Sequence, residues 1–182
     1  MSRHSGTDLG HHEAVSELLI MRHAKSSWSS GAARDFDRPL SPRGETDRWR
    51  MARWLTDHDL VPDRVISSSA NRARATAEAV IEHCGIAEDL TTFDEYFYGI
   101  GSRGWMTELS RQSDPRVLIC GHNPSLDMLV ETLADSRPEL ADSGKLMTTS
   151  AIAHLRSDAP WGEAALNPGS WNLATIARPR EI

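Results

Sequence analysis

Two uninterrupted apolar runs, Leu18-Leu19-Ile20-Met21 and Val117-Leu118-Ile119-Cys120, constrain this chain more than any other feature. A run with no polar alternation fits a strand covered on both faces, which is the environment of a parallel sheet packed between helices. Each run stops at a polar break that carries a histidine, Arg22-His23 in one case and Gly121-His122 in the other. Around them, helical and extended patterns alternate. A helix is predicted from Arg43 to about His58, with Met51, Trp54 and Leu55 on one side, and a strand over Arg64-Val65-Ile66-Ser67. Ala73, Ala77, Val80, Ile81 and Cys84 then recur at helical spacing, predicting a helix from Ala70 to Cys84 with Ser69 as cap and Gly85 as stop. A weak strand near Leu90 to Phe93 and a helix near Trp105 to Gln112 lead to the second apolar run. Beyond it, Asn123 as N-cap and Pro124 at the first position begin a helix to about Ala134. Asp135 to Thr149 reads as a loop around a short helix, and Ala151 to Leu155 and Asn172 to Ala177 as closing strands. The alternation predicts an α/β fold, a three-layer α/β/α sandwich with a mainly parallel central sheet.

No internal repeat and no long linker divides the chain, so residues 17–182 are expected to form one domain. Residues 1–16, with His4, His11 and His12 among small polar residues, read as a flexible tail. A chain of 182 residues, 39% hydrophobic, builds a full core without disulfides, and Cys84 and Cys120 are expected to pack as small apolar residues. No apolar run approaches the roughly 18 residues of a membrane span, and the polar start lacks the order of a secretory signal, so a cytoplasmic protein is expected. The net charge of −6 argues against nucleic acid as a partner. The cations are nearly all arginine, Lys25 and Lys145 being the only lysines. Arginine's planar fork suits the oxygens of phosphate.

In open α/β sheets ligands bind beyond the carboxyl ends of the strands. His23 and His122 occupy such positions, and two strands distant in sequence can bring their imidazoles together. Arg72 falls in the first turn of its predicted helix, where an acidic residue is the usual choice, which suggests an anion bound nearby. Arg74 points elsewhere and reads as a surface charge. Together Arg22, Arg72 and the two histidines form a pocket for a phosphoryl group. No metal-ligand spacing such as HExxH or paired CxxC occurs, so neither a metal nor another cofactor is expected. Gly99-Ile100-Gly101-Ser102-Arg103-Gly104 matches GxGxxG literally, but it follows no buried first strand and reads as a flexible loop.

Met21-Arg22-His23-Ala24 resembles the RHG/RHA signature of the histidine phosphatase superfamily, the phosphoglycerate-mutase-like branch. Ser69-Ala70-Asn71-Arg72-Ala73-Arg74-Ala75-Thr76-Ala77 is similar to its second motif, and Gly121-His122-Asn123-Pro124 to the motif of its second histidine. Order and spacing agree from Leu18 to about Leu133. Arg22 to Trp28, Asp37 to Gly44 and GHNP resemble the small SixA-type phosphohistidine phosphatases.

The resemblance implies the phosphoglycerate-mutase-like fold and His23 as a nucleophile that takes a phosphoryl group and passes it to water. Arg22, Arg72 and His122 would hold the phosphoryl oxygens, a protonated His122 adding a third cationic donor. Asp94-Glu95-Tyr96-Phe97-Tyr98-Gly99 resembles the mutase segment that carries a general acid, which makes Glu95 the candidate acid, with Asp94 as alternative. Lys25, Ser26 and Arg38 are expected at the pocket rim and Asn123 beside the phosphate. The expected substrate is phosphohistidine in a protein or a small phosphorylated metabolite. A mutase-like phosphotransferase and a phosphate-binding module without turnover are the alternatives.

Overall fold

The structure, a computed structural model, describes residues 16–182. Its centre is β1 (Ser16–Arg22), which runs parallel to β4 (Arg116–Gly121) on one side and antiparallel to β5 (Ile152–Ser157) on the other. β2 (Arg64–Ser68), β3 (Thr91–Asp94) and β6 (Asn172–Ala177) complete one six-stranded sheet of order β3-β2-β4-β1-β5-β6. Five of the six strands run in one direction and β5 alone runs against its neighbours, as a mainly parallel sheet requires. The two apolar runs are adjacent, Leu18 opposite Val117 and Met21 opposite Cys120, and Arg22 lies opposite Gly121. That register brings both strands to an end at one level.

Side chains alternate across a strand, so each run feeds two cores. Leu18, Ile20, Val117 and Ile119 pack with Trp105 of α3 (Ser102–Leu109) and with Leu126, Leu129 and Val130 of α4 (Ser125–Leu133). Leu19, Met21, Leu118 and Cys120 meet Met51 and Leu55 of α1 (Pro42–Asp57) and Ala73, Ala77 and Val80 of α2 (Asn71–Cys84) on the other face. Burying each such aliphatic side chain fully stabilises the fold by about 1.5–3 kcal/mol. A further short helix, α5 (Trp161–Ala164), joins the first core. No helix among the described residues is long and apolar enough to cross a membrane.

Several local expectations are corrected. Ser16 belongs to β1 and is buried, so it is not part of a tail, whereas His4, His11 and His12 lie outside the described residues. Ser69 does not cap α2: its N–H is drawn to the Asp94 carbonyl (3.1 Å), and the Ser68 hydroxyl accepts from Ala70 N–H instead (3.2 Å). Gly85 does end that helix, in the left-handed region at φ 68°. α3 begins at Ser102, so half of the glycine-rich segment is helix, not loop. α4 begins after Pro124, and Asn123 donates its amide to the Met147 carbonyl (3.2 Å) rather than capping the helix. The stretch from Asp135 to Thr149 carries no helix; it is pinned where Asp127 Oδ1 accepts from Met147 N–H at 3.0 Å.

Candidate active site

β1 delivers His23 to the carboxyl end of the sheet. Its N–H donates to the Gly121 carbonyl of β4 (3.1 Å), and the Ser150 N–H bridges the Arg22 and His23 carbonyls at 3.1 and 3.2 Å. The ring is 8% exposed, and its Nδ1 lies 2.8 Å from the Ala24 carbonyl. A carbonyl only accepts, so Nδ1 carries the proton and the Nε2 lone pair is left outward. The Arg72 Nε–H donates to that Nε2 at 3.3 Å.

The His122 ring stands 5.0 Å from that of His23, centroid to centroid. Arg72 Nη2 donates toward its Nδ1 (3.4 Å), which places the His122 proton on Nε2, where it donates to Ser68 Oγ (3.0 Å). Arg72 therefore spans both imidazoles from the first turn of α2, as its position in the helix suggested. Burial, more than any charge, pushes His23 down to about 3 and His122 to about 4, with Arg72 adding to both effects. At neutral pH both rings are thus uncharged. This corrects the expectation of a cationic His122, whose burial beside Arg72 disfavours a second positive charge.

Thr76, one turn after Arg72, ties the two motifs together. Its hydroxyl donates to the Arg72 carbonyl (2.6 Å) and accepts from Ala24 N–H (2.9 Å), holding the chain just past His23 against α2. Arg22 is half-buried, with Nη1 donating to the Met147 carbonyl at 2.7 Å. Its Nε is buried without a hydrogen-bond partner among the described residues. Burial lowers the Arg22 pKa, and the Asp127 carboxylate partly offsets this.

Of the remaining expected residues, Asn123 shares the Met147 carbonyl with Arg22. Arg38 pairs with Asp35 (2.9 Å) and stacks on Trp28, 3.6 Å from the ring centroid. Ser26 is buried in a bridge to Leu40, and Lys25 is exposed. Glu95 is exposed and is not brought to the histidines by any hydrogen bond among the described residues. Asp94 accepts from Tyr96 N–H at 2.8 Å, capping its own short turn.

Three neighbours escaped sequence reasoning. Asp35 accepts from Arg72 twice, through its carbonyl (2.6 Å) and Oδ2 (2.7 Å). Tyr98 donates its hydroxyl to the same Oδ2 (2.8 Å) and turns its ring edge-on to His122 at 5.2 Å. Ser68 orients His122. Asp35 sits in an unpatterned polar loop and offered no signal; Tyr98, three residues past Glu95 in the acid-like segment, offered a weak one.

Residues 18–102 match the Histidine phosphatase superfamily (branch 1). An uncharacterized protein of Mycobacterium tuberculosis is 34% identical over 88% of this chain and 100% of its own length. Phosphohistidine phosphatase SixA of Escherichia coli is 28% identical over 78% of this chain and 86% of its own. A solved structure from Nakamurella multipartitia, assigned as a phosphohistidine phosphatase SixA, superposes with a TM-score of 0.75 at 26% identity, covering 91% of this chain and 96% of that one.

Two histidines bridged by a buried arginine stand at the carboxyl edge of a mainly parallel sheet, and the chain belongs to the histidine phosphatase superfamily, branch 1, and is a phosphatase. Within that superfamily its similarity runs to the SixA phosphohistidine phosphatases.

Proposed function

We propose that the protein hydrolyses phosphoryl compounds through a covalent phosphohistidine on Nε2 of His23, without a metal. The observation that carries this reading is the 2.8 Å bond from His23 Nδ1–H to the Ala24 carbonyl, which leaves Nε2 as the free lone pair beside Arg72. In the first step that lone pair attacks phosphorus, the bond to the leaving group breaks, and the leaving group departs with the electron pair. The phosphorylated ring becomes cationic, and the Ala24 carbonyl stabilises its Nδ1–H. In the second step water attacks phosphorus, the P–N bond breaks, inorganic phosphate leaves and neutral His23 returns. Arg22 and Arg72 neutralise the equatorial oxygens, where phosphoryl transfer needs positioned charge, and His122 and Asn123 line the same space. Arg38, paired with Asp35, forms the rim beside Arg72, whereas Ser26 is buried against Leu40 and Lys25 lines the basic recess beside Arg22.

The substrate is phosphohistidine in a protein or a small phosphomonoester. Similarity to Escherichia coli SixA supports the first; a basic recess beside Arg22 supports the second. The unpaired thiols Cys84 and Cys120 fit the reducing cytoplasm as the place of action. The test is to incubate the protein with radiolabelled phosphodonor, quench in base and map the label. The expected result is acid-labile phosphate on His23 that is absent from His23→Ala, with turnover unaffected by chelators. Full turnover by His23→Ala overturns the mechanism.

A further inference from the structure

Arg22 also lines a recess of about 410 Å³ whose lining includes neither histidine. Six cationic side chains line it: Arg22, Lys25, Arg43, Lys145, Arg178 and Arg180. Only two carboxylates, Asp142 and Glu181, share the lining. The chain as a whole is acidic, with 26 Asp and Glu against 20 Lys and Arg, and both of its lysines point here. Arg43 is paired with Asp47 at 3.1 Å and Arg178 with Glu181 at 3.0 Å, but Lys25, Lys145 and Arg180 form no ion pair among the described residues. Like charges gathered in one concavity raise its potential, and an anion is what such a potential draws in.

The recess is held in place. Arg178 Nη2 donates to the Glu139 carbonyl (2.7 Å) and Nε to the Leu146 carbonyl (3.2 Å), fastening the end of β6 to the loop that carries Lys145. Lys25 is fixed from the other wall, its carbonyl accepting from Ser41 N–H at 2.8 Å. Thr148 and Thr149 add hydroxyls to the lining.

Sheet order sets the distance to the histidines. Met21 lies opposite Ile152, and Ile152 opposite Ala177, so β1 ends two strand places from the end of β6, on the side away from β4 and His122. Two strand spacings amount to about 10 Å. His23 and His122 follow the ends of β1 and β4, whereas the recess is lined by Arg22 at the end of β1, by Arg43 of α1 and by residues 178–181 just past β6.

We propose that this recess binds a second anionic group, a carboxylate or a phosphate, of a small phosphorylated substrate whose transferable phosphoryl group lies at His23. The proposal rests on the assignment of His23 and Arg22 made above. A concave site enclosed by three chain segments suits a small ligand, whereas a protein partner meets a flatter surface.

The test is calorimetric binding of three non-hydrolysable probes, butylphosphonate, phosphonobutyrate and tetramethylene bisphosphonate, alongside hydrolysis of p-nitrophenyl phosphate. One or both doubly charged probes bind about tenfold or more tightly than butylphosphonate, the one favoured distinguishing carboxylate from phosphate. Lys145→Ala/Arg180→Ala abolishes that advantage and leaves p-nitrophenyl phosphate hydrolysis unchanged. Arg53→Ala/Arg111→Ala, which removes the same charge elsewhere, keeps it. Equal affinity for all three probes, an advantage that survives the first double variant, or one lost in both double variants overturns the proposal. So does a first double variant that slows only the hydrolysis of a phosphohistidine protein, which would assign the recess to an acidic partner side chain. Probe preference without any p-nitrophenyl phosphate hydrolysis instead overturns the phosphatase mechanism at His23, and with it the substrate assignment.

Discussion

The Asp35 carboxylate holds Arg72 Nη2 at 2.7 Å, the same nitrogen that faces His122 Nδ1 at 3.4 Å. A side chain from a polar loop thus occupies the guanidinium that an incoming phosphoryl group needs. The Arg72 side chain is nearly buried while that of Asp35 is 47% exposed, so the carboxylate is the partner free to leave. Asp35→Asn removes the competing charge and keeps an oxygen for the Tyr98 hydroxyl. Because half-exposed pairs contribute no more than about 1 kcal/mol, KM for p-nitrophenyl phosphate is expected to fall by up to about fivefold, with kcat little changed. A higher KM would mean that Asp35 positions Arg72 for the substrate.

Arg72 and Arg74 share a helix turn but not a role. Arg74 pairs loosely with Glu78 at 3.6 Å and lies over Phe93, away from the histidines. Arg72→Ala and Arg22→Ala should each lower kcat/KM by about 10² to 10³, the scale for losing a charge stabiliser of a transition state. Arg74→Ala should be nearly neutral. Thermal melts of all three separate lost chemistry from lost folding, and equal losses at Arg72 and Arg74 would refute the assignment.

Folded-state depression of the histidines, His23 to about 3 and His122 to about 4, makes stability depend on pH. Between those values and the ordinary histidine value of 6.5, the unfolded chain binds more protons than the folded one. Their contribution is complete above that ordinary value and is lost progressively as pH falls below it. Denaturant midpoints are therefore expected to drop from pH ~7.5 to pH ~5. His23→Gln, whose side chain cannot take the proton, should show a shallower drop; an identical slope would rule out His23 as a source.

Gly44 is required by a close approach. The Lys25 carbonyl lies where a Cβ at Gly44 would stand, and Ser41, the cap of α1, binds the same carbonyl. A methyl group there must push the chain that carries His23 away from α1. Gly44→Ala is expected to cost about 1–3 kcal/mol in denaturant unfolding and to lower activity in step. Stability like that of the wild type would show that the loop yields freely.

Glu95 offers a graded test of the general acid. Exposed as it is, Glu95→Gln should leave butyl phosphate and p-nitrophenyl phosphate hydrolysis within a few fold. A loss of about 10² confined to the alkyl ester, whose leaving group needs a proton, would restore it as the acid.

Local patterns carried a good part of this protein. Four consecutive apolar residues mean a two-sided buried strand wherever they occur, and the spacing of Ala73, Ala77 and Val80 means a helix, because side-chain direction repeats with the backbone. For the same reason His23, His122 and Arg72 stood out: each sits at the end of an element that could be read. Strand order is different, since pairing joins segments far apart in the chain and no local period encodes the neighbour. Only the placement of β4 beside β1, with Arg22 opposite Gly121, makes two isolated histidines a pair. Loops carry no period either. Asp35 on Arg72, the Met147 carbonyl on Arg22, and Lys145 and Arg180 converging on one recess all come from segments whose conformation the sheet and helices impose from outside.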